Sequence, residues 1–114
     1  VISGVHNFTI DQGATFSRTI TVKNYDESLY NLTGHTARMQ IRRQIEDTTV
    51  MLELTTENGR ITLGGAAGTI ELLITAADTS TLTTSGVYDL ELVEGAVVKR
   101  LIRGNINLNL EVTR

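Results

Sequence analysis

The sequence predicts an all-β domain, an antiparallel β-sandwich or barrel of about eight short strands, and three observations lead there. Threonine is the commonest residue, and it joins valine and isoleucine as β-branched side chains that lose χ1 freedom in helices and pack well on a pleated sheet. Apolar and polar residues alternate with a period of two through most segments, the mark of strands with one buried and one wet face. Turn signals rich in Gly, Asn and Asp separate these segments at short intervals, and at most one short helical turn, near 76–82, interrupts them. A chain of 114 residues makes one domain, 1–114, with residues 1–4 as an N-terminal arm.

Val5 to Ile10 reads as the first strand, with Phe8 and Ile10 in phase, and Asp11-Gln12-Gly13 turns the chain. Ala14 to Lys23 is the second, with Phe16, Ile20 and Val22 in register and Arg18 a misfit in that same phase. Asn24 to Ser28 is a loop, and Leu29 to Leu32 is a short extended piece closed by Thr33-Gly34. His35 to Arg43 alternates Ala37, Met39 and Ile41 against Arg38, Gln40 and Arg42. Gln44 to Thr49 is a polar loop. Val50, Leu52 and Leu54 then alternate with Met51, Glu53 and Thr55.

Thr56-Glu57-Asn58-Gly59 is a strong hairpin signal, because Asn-Gly tolerates positive φ, and Ile61 and Leu63 form its return strand. Gly64 to Gly68 is expected as a flexible link. Ile70, Leu72 and Ile74 mark the next strand, and Thr75 can cap a helical turn running to Leu82. Val87 to Val93 is a strand with Tyr88, Leu90 and Leu92 on one side, turned by Glu94-Gly95-Ala96. Val97 to Arg103 pairs back, and Gly104 marks a bulge before the terminal strand. There Ile106, Leu108, Leu110 and Val112 face one way and Asn105, Asn107, Asn109 and Glu111 the other.

Composition excludes several classes. A net charge of -3 argues against general nucleic-acid binding, which calls for a basic surface. No run approaches the ~18–20 apolar residues of a membrane span, so neither nucleic acid nor membrane is an expected partner. The start, Val1-Ile2-Ser3-Gly4, lacks the basic lead and apolar core of a signal peptide. Cysteine is absent, which removes disulfides and thiolate metal sites.

No catalytic or metal constellation emerges, and the expectation is a non-enzymatic protein without cofactor. His6 and His35 are far apart and lack the further ligands that zinc needs, so both are expected as solvated strand-edge residues. Asp26-Glu27 and Glu46-Asp47 lack the alternating carboxylates of a calcium loop. Two acids suffice for glycoside hydrolysis, but a chain this short seldom supplies both acids and a cleft. Gly64 to Gly68 has no following Lys-Ser/Thr and is not a phosphate loop.

Arginine is the one charged constellation. Arg38, Arg42 and Arg43 come from one strand and its end, Arg100 and Arg103 from another, and Arg38 and Arg42 share a face. Arginine is favoured at protein interfaces because its planar fork bonds bidentately and stacks on apolar surface. These five are the candidate protein-interface residues. The competing expectation is a solvated sheet face, with Asp89 and Glu91 pairing across strands.

The segments Asp11-Gln12-Gly13-Ala14-Thr15-Phe16, Leu32-Thr33-Gly34-His35-Thr36-Ala37-Arg38-Met39-Gln40-Ile41-Arg42 and Tyr88-Asp89-Leu90-Glu91-Leu92 together resemble small bacteriophage virion proteins, including the N-terminal domain of the phage upper baseplate protein family. The resemblance covers nearly the whole chain and rests on the order and spacing of these motifs, each of which is mostly turn chemistry plus alternation. It implies an immunoglobulin-like β-sandwich without enzymatic activity, located in the virion and docked on other virion proteins. Multi-domain relatives carry a C-terminal extension that bears or binds the receptor-binding part, and this sequence stops at Arg114. The leading expectation is therefore a capsid decoration (cement) protein on the particle exterior. It would bind the major capsid protein and self-associate in a symmetric assembly, adding stability by binding only the assembled state. The alternative is a tail, neck or baseplate adaptor. A second alternative, a carbohydrate-binding module, calls for aromatic platforms, yet Trp is absent and aromatics make up 4% of the chain.

Overall fold

The structure, a computed structural model, describes residues 4–111. In chain order its elements are β1 (Gly4–Val5), β2 (Phe8–Asp11), β3 (Phe16–Thr21), β4 (Thr36–Arg42), β5 (Leu52–Thr55), β6 (Ile61–Leu63), a 3-10 turn (Gly65–Ala67), β7 (Thr69–Ile74), α1 (Ala76–Thr79), β8 (Gly86–Glu94) and β9 (Val97–Asn109). The strands form two facing sheets, as the sequence predicts. One runs β9-β8-β4-β5, with β1 and β2 both lying along the free edge of β9; the other runs β3-β7-β6. This is an immunoglobulin-like strand order. Pairing is antiparallel except for β1 and β2, which run parallel to β9. The N-terminal arm expected over 1–4 falls mostly outside the described residues, and Gly4 opens β1 opposite Ile102.

The inward phase of both sheets makes one core. Ile10, Met39, Ile41, Leu54, Ile61, Ile70, Leu72, Ile74, Leu90 and Leu92 are all at most 2% exposed. Each such side chain contributes roughly 1.5–3 kcal/mol on burial, whereas an exposed ion pair contributes about 0–1 kcal/mol. Core burial therefore holds the sandwich together, and its outer faces remain available for other roles. Arg18, out of place in its strand's apolar phase, covers the seam between the sheets: its guanidinium lies 5.4 Å from the Phe8 ring centre and 5.8 Å from that of Phe16.

Five expectations are corrected. Thr56 to Gly59 does turn the chain, with Asn58 Oδ1 accepting from the Thr55 and Arg60 amides, but it is not a hairpin. β5 pairs with β4 and β6 with β7, so the turn crosses from one sheet to the other and lets Leu54 and Ile61 bury from opposite sides. Gly64 to Gly68 is an ordered β6–β7 turn rather than a flexible link, closed by the Gly64 amide on Thr69 O and tied to the β3–β4 loop by the Leu32 amide on Gly65 O.

Gly104 does not mark the bulge. The ladder slips between Leu90 and Glu91, which pair with Ile102 and Arg100, so Leu101 is the extra residue. Leu101 and Ile102 are both buried, and β9 continues unbroken through Gly104. Leu110 is 66% exposed rather than buried, because β9 outruns β8, whose last pairing is Gly86 with Ile106. Val112 lies outside the described residues. Lastly, the His35 side chain is not solvated: it is 8% exposed, stacked edge-on against Tyr30 and 3.9 Å from Glu94.

Candidate protein-docking face

The outer face of the larger sheet collects four of the sequence's eight arginines. Its rows follow from register. Arg38 of β4 stands opposite Glu91 of β8, which stands opposite Arg100 of β9. One row along, Gln40, Asp89 and Arg103 align, and beyond them Arg42, Val87 and Asn105. Four of the five predicted interface arginines thus share one face. Arg43, the fifth, lies past the end of β4, where its Nε sits 3.5 Å from Asp47 in the β4–β5 loop.

Some of these charges neutralise one another. Arg38 Nε donates to Glu91 Oε1 at 2.8 Å, and Arg100 Nε lies 3.5 Å from Asp89 Oδ2. Gln40 Nε2 donates to Glu53 Oε2 at 2.8 Å. These contacts realise the cross-strand pairing expected of a solvated sheet face. Two arginines depart from it. Arg42 donates to the Gln40 side-chain oxygen and to the Asp47 carbonyl, both neutral acceptors. Among the described residues, neither Arg42 nor Arg103 has a carboxylate at ion-pair distance.

These two guanidinium groups line an open depression of about 620 Å³, together with Arg100 and the Asp89 and Glu91 carboxylates that pair with Arg100 and Arg38. Its floor includes Val87 and Asn105. Val5 of β1 bounds one side and Ile45 of the β4–β5 loop the other. Val5 is 65% exposed and Ile45 81%. An apolar rim beside two guanidinium groups that make no ion pair among the described residues can accept an acidic, partly apolar protein segment. Sequence reading missed Val5, Val87 and Ile45. The available signal was Ile45, a large aliphatic side chain within an otherwise polar loop.

Below the depression, Tyr88 anchors the edge that carries Val5. Its ring is in the core against Phe8, 5.2 Å between centres, and its hydroxyl donates to His6 O at 2.7 Å. Burial pushes the Tyr88 hydroxyl pKa well above its usual 10.0. His6 N in turn donates to Arg103 O, and Asn7 Oδ1 accepts from the Asn105 amide. The break between β1 and β2 is thus pinned to β9. Gly104 makes the approach possible, since a Cβ there would sit 1.9 Å from His6 O.

The described residues contain no group of three His, Cys, Asp or Glu side chains placed to hold a metal ion. Neither Tyr25 nor Tyr30 lines the depression: Tyr25 projects from the β3–β4 loop, and Tyr30 stacks on His35. No protein-family model matches the chain, and no curated protein matches it in sequence.

Proposed function

We propose that this chain is a non-enzymatic bacteriophage virion protein that docks on neighbouring virion subunits through the outer face of the β9-β8-β4-β5 sheet. One observation carries the docking part: the depression that places Arg42 and Arg103, which make no ion pair among the described residues, beside exposed Val5 and Ile45. The virion part is supported by the three resembling segments, which supply the β2–β3 corner, the whole of β4 and the middle of β8. Docking alone needs no assembled acid, base or nucleophile.

The capsid exterior is the location we favour, with the protein acting as decoration that binds the assembled shell. Quantitative mass spectrometry of purified particles tests both parts. Dozens to hundreds of copies per particle are expected for a decoration protein. A few copies would move the protein to the tail, neck or baseplate, and its absence from particles would overturn the virion reading. Particles that lack the protein should also lose resistance to heat and low salt, and unchanged resistance would sink the cement role.

A further inference from the structure

The β3–β4 loop carries a projecting tip with the opposite chemistry to the depression. Lys23 and Leu29 form an antiparallel bridge, so Asn24 to Ser28 closes as a small hairpin. The Asn24 amide donates to Ser28 O and the Glu27 amide to Asn24 O. Asp26 Oδ1 accepts from both the amide and the hydroxyl of Ser28, at 3.0 and 2.6 Å. Glu27 is held at φ 70°, the one non-glycine residue with positive φ among those described. This fixed tip presents Tyr25, 80% exposed, next to the Asp26 and Glu27 carboxylates, with Leu29, 50% exposed, at its base. A tip already fixed loses little conformational entropy on docking, and tyrosine is enriched among residues that carry binding energy.

We propose that the occupant of the depression is the β3–β4 tip of a second copy of this chain, with Glu27 and Asp26 meeting Arg103 and Arg42 and Tyr25 packing on Val5 and Ile45. This rests on the reading of that face as a docking face. The argument is charge complementarity: three arginines outnumber Asp89 and Glu91 in the lining, and two carboxylates beside exposed aromatic and aliphatic surface fit the two guanidinium groups that make no ion pair among the described residues. A chain cannot fill its own depression. The tip precedes the start of β4 and Arg42 ends it, and six residue steps of strand span about 20 Å. The two surfaces differ, so the contact is heterologous. It propagates from copy to copy and closes into a ring or continues as an open array, which suits a protein present in many copies on a shell.

Sedimentation velocity of the purified chain at low and high salt tests this, with Glu27→Arg as the tip variant and Arg103→Glu as the face variant. Both positions are exposed, and neither side chain makes an ion pair among the described residues, so both variants should keep the wild-type circular dichroism and melting curve. The wild type is expected to associate with increasing concentration, less so in high salt. Each variant alone should weaken association about tenfold or more. An equimolar mixture of the two should restore association, with the two variants alternating, because every tip then meets an oppositely charged face on the other variant. The double variant on one chain should regain association by reversed charge.

A monomeric wild type at low salt overturns the second-copy occupant. In that case Arg103→Glu incorporation into particles decides the docking face separately. Loss of incorporation keeps the docking face with a different acidic partner, while unchanged incorporation removes both readings. Association that ignores both variants also overturns the proposal.

Discussion

Arg100 and Arg103 stand on the same face of β9 although only two residues, Leu101 and Ile102, lie between them, because Leu101 is the extra residue of a bulge opposite Leu90 and Glu91. Strict alternation would put the two arginines on opposite faces. With the bulge, Arg100 faces outward to Asp89 and Arg103 reaches the depression. Leu101 itself is 2% exposed. Leu101→Ala is expected to cost about 2–5 kcal/mol, as core truncations do. Arg100→Ala, which loses only an exposed pair, should cost less than about 1 kcal/mol. Urea unfolding of the two variants separates these, and equal losses would mean that the bulge is not held by its leucine.

Tyr88→Phe removes the hydrogen bond to His6 O and leaves that carbonyl without the donor. The expected loss is about 1–3 kcal/mol at neutral pH. A pH dependence follows with a definite sign. The folded hydroxyl pKa is raised above the unfolded 10.0, so its stabilisation is complete below pH 10 and is lost as pH rises from there towards the folded value. The wild type should therefore lose more stability than Tyr88→Phe above pH 10 in urea melts, and parallel alkaline limbs would refute the assignment.

Two glycines mark close backbone approaches. A Cβ at Gly104 would meet His6 O at 1.9 Å, and one at Gly68, which has φ +69°, would meet Val22 O at 2.8 Å and Tyr30 O at 2.9 Å. Gly104→Ala should push the N-terminal edge off β9, with faster amide exchange at His6 as the readout. Gly68→Ala combines left-handed backbone with carbonyl contact and should cost about 1–3 kcal/mol. Gly59→Ala, with φ +80° but open space around it, should cost less.

Asp78 serves an acid-side test. Arg60 donates to Asp78 Oδ2 through Nε at 3.2 Å and NH2 at 2.9 Å. These bonds hold the Asp78 carboxyl below its usual 3.8, against the opposing effect of desolvation. A depressed pKa contributes stability above 3.8 that disappears as pH falls through the folded value. Asp78→Asn should flatten the fall in urea midpoint between pH about 5 and about 2. An unchanged acid limb would show that the pair carries no stability.

The strands were legible wherever one face is buried and the other is wet, as in β4 and β8, because burial writes a period of two directly into sequence. The Thr75 cap was legible too, and its hydroxyl does accept from the Asp78 amide. Other features left no local trace. Leu101-Ile102 reads as two ordinary apolar residues, so the bulge was placed at the neighbouring glycine. Asn58-Gly59 announces a reversal but not which sheet the next strand joins. Arg18 looked like an error of pattern because the Phe8 and Phe16 rings it covers come from different sheets. The arginines were found as a set, with Asp89 and Glu91 as their cross-strand partners, yet which arginines make no such pair was not legible, since that depends on register between strands far apart in the chain.

By itself the sequence determined the fold class, the strand phases of its regular segments and the arginines that could form an interface, because each depends on a residue and its near neighbours. Only the tertiary structure decided which strands share a sheet, that Leu101 turns Arg100 and Arg103 to one side, and that Arg42 and Arg103, which make no ion pair among the described residues, stand beside Val5 and Ile45. Those outcomes depend on register between segments far apart in the chain. Register is fixed by the closing of one common core, and no single segment carries that information.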